Sequence, residues 1–384
     1  MESDLFEQDH EDYREVAREF VRREVEPNLE RWEEQRLVDR DVWAAAGKQG
    51  LLGLQVPEEY GGPGVDDFRF RVAACTEIVA VGAASLQSGF ATNDDIVLGY
   101  LLGMATEEQK ARWLPGFVTG ETIGAIAMTE PGAGSDLRGI RTSARRDGDE
   151  WVIDGSKTFI TNGILADLVV VVAQTDPEAG SRGFTLFVVE TGTEGFRRGR
   201  KLDKVGLAAQ DTAELFFDGV RVPDTQRLGE VGTGLQSLMA NLPRERLGIA
   251  MSAQTTAEAI LEWTLEHVTA REAFGKPLSA LQTVSHTVAE LRMKVEVSRA
   301  YFDRCVRELN AGTLTAVDAA KAKWWATEMQ WQVVDAGVQL HGGYGYMNEY
   351  AVARAFRDAR VQRIYGGSNE VMKEIVARDL TRAR

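Results

Sequence analysis

Ala127-Met128-Thr129-Glu130-Pro131-Gly132-Ala133-Gly134-Ser135-Asp136-Leu137 closes an apolar, strand-like run that begins at Ile123, then turns sharply through a proline and two glycines. Such a turn brings backbone N–H groups and the hydroxyls of Thr129 and Ser135 toward a flat polar ring or a phosphate. The glycines resemble the start of a dinucleotide fingerprint. Leu137, however, stands where the third glycine is needed, and no βαβ alternation surrounds the segment, so a Rossmann reading is poor. The bland alternative is a glycine-rich corner between two strands.

Outward from this corner the chain changes character twice. Toward the N-terminus, Tyr13, Val16, Phe20 and Val21 recur at helical spacing. Thr106-Glu107-Glu108-Gln109 has the form of a capping box ahead of Trp113, Leu114 and Phe117. The loop Val56 to Gly64 interrupts the helices. After the corner, Asp147-Gly148, Asp154-Gly155 and Asp218-Gly219 punctuate short β-branched and aromatic runs in the manner of hairpin turns. Leu168 to Val172, Phe184 to Val189 and Leu215 to Phe217 read as buried strands, and the spacing predicts an antiparallel barrel or sandwich. From about 235 the helical period returns. Val288, Leu291, Val295, Ser298, Phe302, Cys305 and Leu309 form a seam suited to a helix bundle, ended by Gly312. A further helix is expected from about 315 to 340. The expectation is an α+β chain with a helical domain over 1–122, a β domain over 123–232 and a helical-bundle domain over 233–384.

Composition bounds the function. The chain has 384 residues, 44% of them hydrophobic, so a sizeable core is available. A formal net charge of -15 argues against a nucleic-acid partner, which needs a basic footprint. The two cysteines, Cys75 and Cys305, support no disulfide framework and fit a reducing compartment, and the four histidines show no metal spacing. No apolar run approaches the roughly 18 residues of a membrane span. The acidic start Met1-Glu2-Ser3-Asp4 resembles neither a secretory signal nor a transit peptide, which leads to the expectation of a cytoplasmic protein.

Two further segments accompany the corner: Phe159-Ile160-Thr161-Asn162-Gly163, and Ile364-Tyr365-Gly366-Gly367-Ser368 near the C-terminus. In this order the three resemble the acyl-CoA dehydrogenase family of flavoproteins, and the resemblance runs from about residue 10 to 380. It implies the same succession of helical domain, β domain and four-helix bundle, with FAD as cofactor. By resemblance, Met128, Thr129, Gly134 and Ser135 contact the pyrimidine end and pyrophosphate of the flavin, and Ser135 also faces the CoA ligand. Phe159, Ile160 and Thr161 lie beside the ring, with the Thr161 hydroxyl at N5. Phe159 stands where many members carry Trp, so an aromatic face survives and an indole donor is lost. Arg271 reaches the pyrophosphate of a neighbouring subunit, a task for which its fork of donors suits it, with Phe274 and Gln282 nearby. Gln339, Gly342 and Gly343 approach the adenine half. Ser368 and Glu370 complete the cofactor set, and Leu242, Arg246, Tyr365 and Gly366 join Ser135 toward the acyl-CoA. His341, in the same stretch as Gln339, reads by itself as a structural histidine.

The base is the point of departure. Much of the family places a glutamate directly after the tyrosine of Ile-Tyr-Glu-Gly, and this chain has Gly366 there. Either the chemistry differs, or the carboxylate comes from elsewhere. The long-chain and isovaleryl-type branch carries its base in a Glu-Arg-Leu segment, matched here by Glu245-Arg246-Leu247. From the residues alone, Pro243 opens a helix and Glu245 is an acid in its first turn, complementing the dipole. The resemblance makes Glu245 the base instead. It implies oxidation of a medium- or long-chain acyl-CoA to the trans-2-enoyl-CoA, an electron-transferring flavoprotein as acceptor, and a homotetramer built as a dimer of dimers. Loss of a side chain at 366 would open space beside the α-carbon, which suits a branched or isoprenoid acyl group. The other readings are an oxidase or monooxygenase on the same fold, and a flavin-less partner subunit of a mixed oligomer. Chain length, branching, and CoA versus acyl-carrier protein stay open.

Overall fold

The computed structural model describes residues 4–382. Seven helices come first: α1 (Gln8–Phe20), α2 (Leu29–Gln35), α3 (Asp41–Lys48), α4 (Phe68–Ala80), α5 (Ala84–Ala91), α6 (Leu98–Met104) and α7 (Glu107–Thr119). The expected capping box is present. Thr106 accepts from the Gln109 N–H, the Gln109 side chain accepts from the Thr106 N–H, and Trp113, Leu114 and Phe117 are buried behind it. Between α5 and α6 the chain makes a π-helical stretch, Thr92–Val97, which no sequence signal announced. It is tied down on both sides. Asn93 Oδ1 accepts from the Gly124 N–H at 2.7 Å, and Arg71 on α4 pairs with Asp95 at 2.9 Å.

Eight strands follow: β1 (Gly124–Ala127), β2 (Ser143–Asp147), β3 (Glu150–Thr161), β4 (Leu168–Gln174), β5 (Phe184–Glu190), β6 (Phe196–Lys201), β7 (Thr212–Pro223) and β8 (Arg227–Leu228). They pair in the order β6-β7-β3-β2-β4-β5-β8, with β1 added on β4. The sheet is mixed where a purely antiparallel one was expected, because β1 and β2 both run parallel to β4. They meet β4 at opposite ends, so the corner segment leaves the sheet between them. Alternation along β4 explains its continuous apolar run. Leu168, Val170 and Val172 face α6, α7 and the start of the next helix, whereas Val169, Val171 and Ala173 face Trp151, Ile153, Leu215 and Val220 across the curled sheet. Of the three Asp-Gly pairs, only Asp147-Gly148 makes a turn, between β2 and β3. Asp154-Gly155 and Asp218-Gly219 lie opposite each other inside β3 and β7, at a bulge where Gly219 has φ +61° and its N–H reaches Asp154 Oδ1 at 2.8 Å. The same residue chemistry that makes turns makes bulges.

The helical remainder is α8 (Gly234–Ala270), a small hairpin of β9 (Glu272–Ala273) and β10 (Lys276–Pro277), then α9 (Gln282–Asn310), α10 (Ala316–His341), α11 (Ala351–Ala359) and α12 (Asn369–Arg382). The predicted seam of α9 is buried at Leu291, Val295, Ser298, Phe302 and Cys305, and Gly312 follows the helix end at φ +69°. One expectation fails. Pro243 lies inside α8, which continues unbroken on both sides of it, so Glu245 is three turns into the helix and has no helix-end dipole to complement.

Candidate active site

The corner segment is held by a buried ion pair. Lys157 Nζ, from β3, reaches Glu130 Oε1 at 2.9 Å and the Met128 carbonyl at 3.1 Å. Glu130 also accepts from the N–H groups of Arg141 and Thr142, so both ends of the loop are pinned to one carboxylate. The Thr158 N–H donates to the Thr129 carbonyl at 2.9 Å. These contacts bring Met128 and Thr129 beside the end of β3, where Phe159, Ile160 and Thr161 follow.

Phe159 is 68% exposed at φ +60°. The left-handed conformation costs an L-residue roughly 1–2 kcal/mol, and exposure of the ring adds to it. A flat apolar partner laid on the ring would offset both. The register shift between Lys157 and Ile160 against β7 produces this geometry. Ile160 differs from expectation: its side chain is buried in the β core, which leaves only its backbone to face a ligand. Gly134 and Ser135 are exposed, and a Cβ built on Gly132 or Gly134 meets nothing within 4 Å. An open backbone cradle, two hydroxyls and a bare aromatic ledge fit the ring system and pyrophosphate of FAD.

Glu245 and Arg246 are both buried on α8. The Tyr100 hydroxyl, from α6, donates to Glu245 Oε1 at 2.6 Å. Burial pushes the Glu245 carboxyl up to about 7, against the lowering effects of the Tyr100 hydrogen bond and the Arg246 charge. Arg246 turns the other way, its Nε 3.5 Å from the Gly366 carbonyl. The fully buried Lys323 of α10 donates to the Gly367 carbonyl and to Asn369 Oδ1, each at 2.9 Å. Two basic side chains therefore hold the carbonyls of the Gly366-Gly367 turn. Gly366 and Gly367 have φ +62° and +90°, so this turn favours glycine at both positions.

The space expected at Gly366 is taken. A Cβ at 366 would come within 2.2 Å of Ile249 Cδ1. Ile249 lies one turn beyond Glu245, so one face of α8 supplies both the carboxylate and the apolar group that fills the position where much of the family carries its glutamate.

The remaining expected residues form a second group. Arg271, Gln339, Gly342 and Gly343 line one cleft of about 410 Å³ with His267, His341 and Tyr344. Arg271 lies over the Tyr344 ring at 5.8 Å. His341 donates through Nδ1 to the Gly337 carbonyl at 2.7 Å and stacks on His267 at 4.2 Å. Phe274, at the tip of the β9–β10 hairpin, is 92% exposed, and among the described residues the Gln282 side chain reaches only His286. From Glu245 to Arg271 the helix advances roughly 39 Å at 1.5 Å per residue. The two groups are therefore separate sites within one chain. Ser368 Oγ caps the first turn of α12 through the Val371 N–H, and Glu370 is exposed beside it. Tyr100, Lys323 and the Lys157–Glu130 pair were missed from sequence. Only Lys157 carried a signal, being a lone cation within an otherwise strand-like run.

A buried carboxylate raised toward neutrality, an apolar group one turn along the same helix and an open ledge for a flat ring fit an enzyme that pairs proton removal with a flat redox cofactor. Comparison with known proteins gives the family. The acyl-CoA dehydrogenase N-terminal, middle and C-terminal domain families match residues 7–121, 125–220 and 232–381. The chain is 48% identical over 378 residues to the mitochondrial long-chain specific acyl-CoA dehydrogenase of Sus scrofa, covering 98% of this chain and 87% of the relative. It is 37% identical to the mitochondrial isovaleryl-CoA dehydrogenase of Solanum tuberosum, covering 98% and 91%. The crystal structure of an acyl-CoA dehydrogenase from Geobacillus kaustophilus matches with a TM-score of 0.96 at 47% identity, over 99% of this chain and all of that one. The chain belongs to the acyl-CoA dehydrogenase family, whose function is FAD-dependent α,β-dehydrogenation of acyl-CoA thioesters. No helix among the described residues is long and apolar enough to cross a membrane.

Proposed function

We propose that this chain oxidises a long-chain acyl-CoA to the trans-2-enoyl-CoA with Glu245 as the base. The observation that carries the reading is the buried Glu245, raised toward neutrality, four residues before Ile249, whose tip lies against Gly366. Glu245 removes the α-proton, and the pair of electrons left behind spreads onto the thioester carbonyl. The Gly366 N–H is the protein donor for that oxygen, and one well-placed donor of this kind contributes about 2.7–4 kcal/mol to lowering a barrier. Bound FAD supplies a two-electron acceptor for the departing β-hydrogen. Met128, Thr129, Gly134, Ser135, Phe159 and Thr161 would hold its ring and pyrophosphate. The long-chain preference rests on likeness to the pig enzyme.

The separation of Arg271 from Glu245 supports a homotetramer in which Arg271, Phe274, Gln282, Gln339, Gly342 and Gly343 serve a neighbouring subunit's flavin. An exposed ring at Phe274 and a cleft rich in donors are what such a contact would cover. Electrons would leave to an electron-transferring flavoprotein. Two buried free cysteines suit a reducing compartment such as the cytoplasm.

The test is anaerobic bleaching of the visible flavin band by short, long and branched acyl-CoAs, with the Glu245→Gln variant alongside. Bleaching by long-chain substrate, lost in the variant while flavin stays bound, supports the reading. Equal bleaching in both proteins would overturn Glu245 as base. Rapid reoxidation in air would favour an oxidase.

A further inference from the structure

The hydrogen bond between Tyr100 and Glu245 joins a helix of the N-terminal domain to the helix that carries the base. How it comes about is specific. The π-helical stretch Thr92–Val97 inserts an i→i+5 turn ahead of α6, and one extra residue turns every later side chain by about 100°. Tyr100 is thereby aimed at α8 from inside an apolar cluster with Leu98, Leu101, Leu235 and Leu238. A phenol in such a place must find an acceptor, and the one it finds is Glu245 Oε1.

We propose that Tyr100 is a positioning residue for the base: it reserves Oε1 of Glu245 and leaves Oε2 as the oxygen that receives the α-proton. The inference rests on Glu245 being the base. No other side chain among the described residues bonds this carboxylate. Arg246, next to it on α8, is committed to the Gly366 turn, and Lys323 on α10 lies behind Arg246. Asp95 approaches α8 about one turn further on, at Gly248, and both it and Asp94 pair with Arg71 of α4. Burial alone would leave the base protonated at neutral pH, because a carboxyl in an apolar pocket disfavours its charged form. A donor to the charged form works against that, and Tyr100 is the only donor there. Reserving one oxygen also fixes the carboxylate plane, which removes a rotation that would otherwise take Oε2 off the line of proton transfer.

The holoenzyme is mixed anaerobically with palmitoyl-CoA, and the rate of flavin reduction is followed from about pH 5.5 to about pH 9. Tyr100→Phe keeps the ring and its packing. The acid limb of its profile is expected to move upward by about one to two pH units, the loss of one hydrogen bond to a charged group. A limb unmoved to within a few tenths, or a variant that is simply faster at every pH, would overturn the inference, the second because Tyr100 would then be only a latch. Site-specific 3,5-difluorotyrosine at 100 covers the case where Phe impairs folding. Its more acidic phenol donates more strongly, so the limb moves downward, and an unshifted limb counts against the proposal. A readout free of turnover is the infrared band of the protonated Glu245 carboxyl, assigned by its loss in Glu245→Gln and titrated in both Tyr100 proteins. If Glu245→Gln still reduces flavin, the assignment of the base fails. If it does not, and the Tyr100 profiles coincide, only the role of Tyr100 fails.

Discussion

Tyr100 and Glu245 lie 145 positions apart in the chain and 2.6 Å apart in space, phenol oxygen to Oε1. Both are buried, so the protonation of Glu245 is set from inside the fold and not from solvent.

Reduction should therefore follow the ionised fraction of Glu245. With the carboxyl pushed up to about 7, the rate constant for flavin reduction should rise about tenfold per pH unit below that value and level off above it. Stopped-flow reduction by a saturated acyl-CoA across pH checks this, and a flat profile through neutrality would remove Glu245 from the chemistry.

The same shift has a stability consequence of opposite sense. A folded value raised from the ordinary 4.5 to about 7 means that the fold prefers the neutral carboxyl. Its contribution is fully present below about 4.5 and is lost as pH rises through about 7. At pH 8 the loss is about 3 kcal/mol. Glu245→Gln should accordingly be more stable than the parent above neutrality and similar to it near pH 4.5, measured by urea unfolding of both proteins at the two pH values.

Lys157 and Glu130 pin the corner loop in a pair whose side chains are almost wholly buried. Removing one partner strands the other charge, so Lys157→Met should cost about 3–5 kcal/mol and lower the flavin content of the purified protein. A double-mutant cycle with Glu130→Gln separates the pair from the rest. Additive losses would mean that the two residues act independently.

Gly366 combines φ +62° with the tip of Ile249 against it. Gly366→Ala should cost about 1–2 kcal/mol from backbone conformation alone, plus whatever Ile249 cannot give way. Adding Ile249→Ala should restore the steric part and leave the conformational part. Thermal unfolding of the two proteins makes the comparison, and full recovery would show that the φ angle costs little here.

Arg271 pairs with no carboxylate among the described residues and lies over an exposed tyrosine. Arg271→Ala should leave chain stability without flavin within about 0.5 kcal/mol of the parent, while flavin affinity falls. Titration of the apoprotein with FAD measures the second quantity, and unchanged affinity would take Arg271 out of the cofactor site.

Much of the fold was legible because its signals are local. The Thr106–Gln109 capping box, the seam of α9, the stop at Gly312 and the apolar run of β4 depend on residues a few positions apart, and each appears as read. The failures share one cause. Asp154-Gly155 and Asp218-Gly219 carry turn chemistry yet form a bulge, because two strands pair through them. Pro243 carries helix-start chemistry yet lies mid-helix, because the contacts of α8 on either side outweigh one missing hydrogen bond. In both, tertiary contact chose between two conformations that the local sequence permits.

The functional residues divide along the same line. The sequence by itself determined which groups were available: a glutamate in Glu-Arg-Leu, a glycine at 366, two hydroxyls at a glycine corner, and an arginine after a long helix. These were readable as chemistry before any coordinate was known. Only the tertiary structure decided what each group meets. It gave Glu245 a phenol as partner and no helix dipole, filled the space at Gly366 with Ile249, put the Ile160 side chain in the core, and set Arg271 at the far end of the helix from the base. The physical reason is that basicity, steric room and reach depend on burial and on neighbours distant in sequence. Those follow from how α6 and α8 pack, and a π-helical turn with no mark in its residues settled which side chain of α6 would face Glu245.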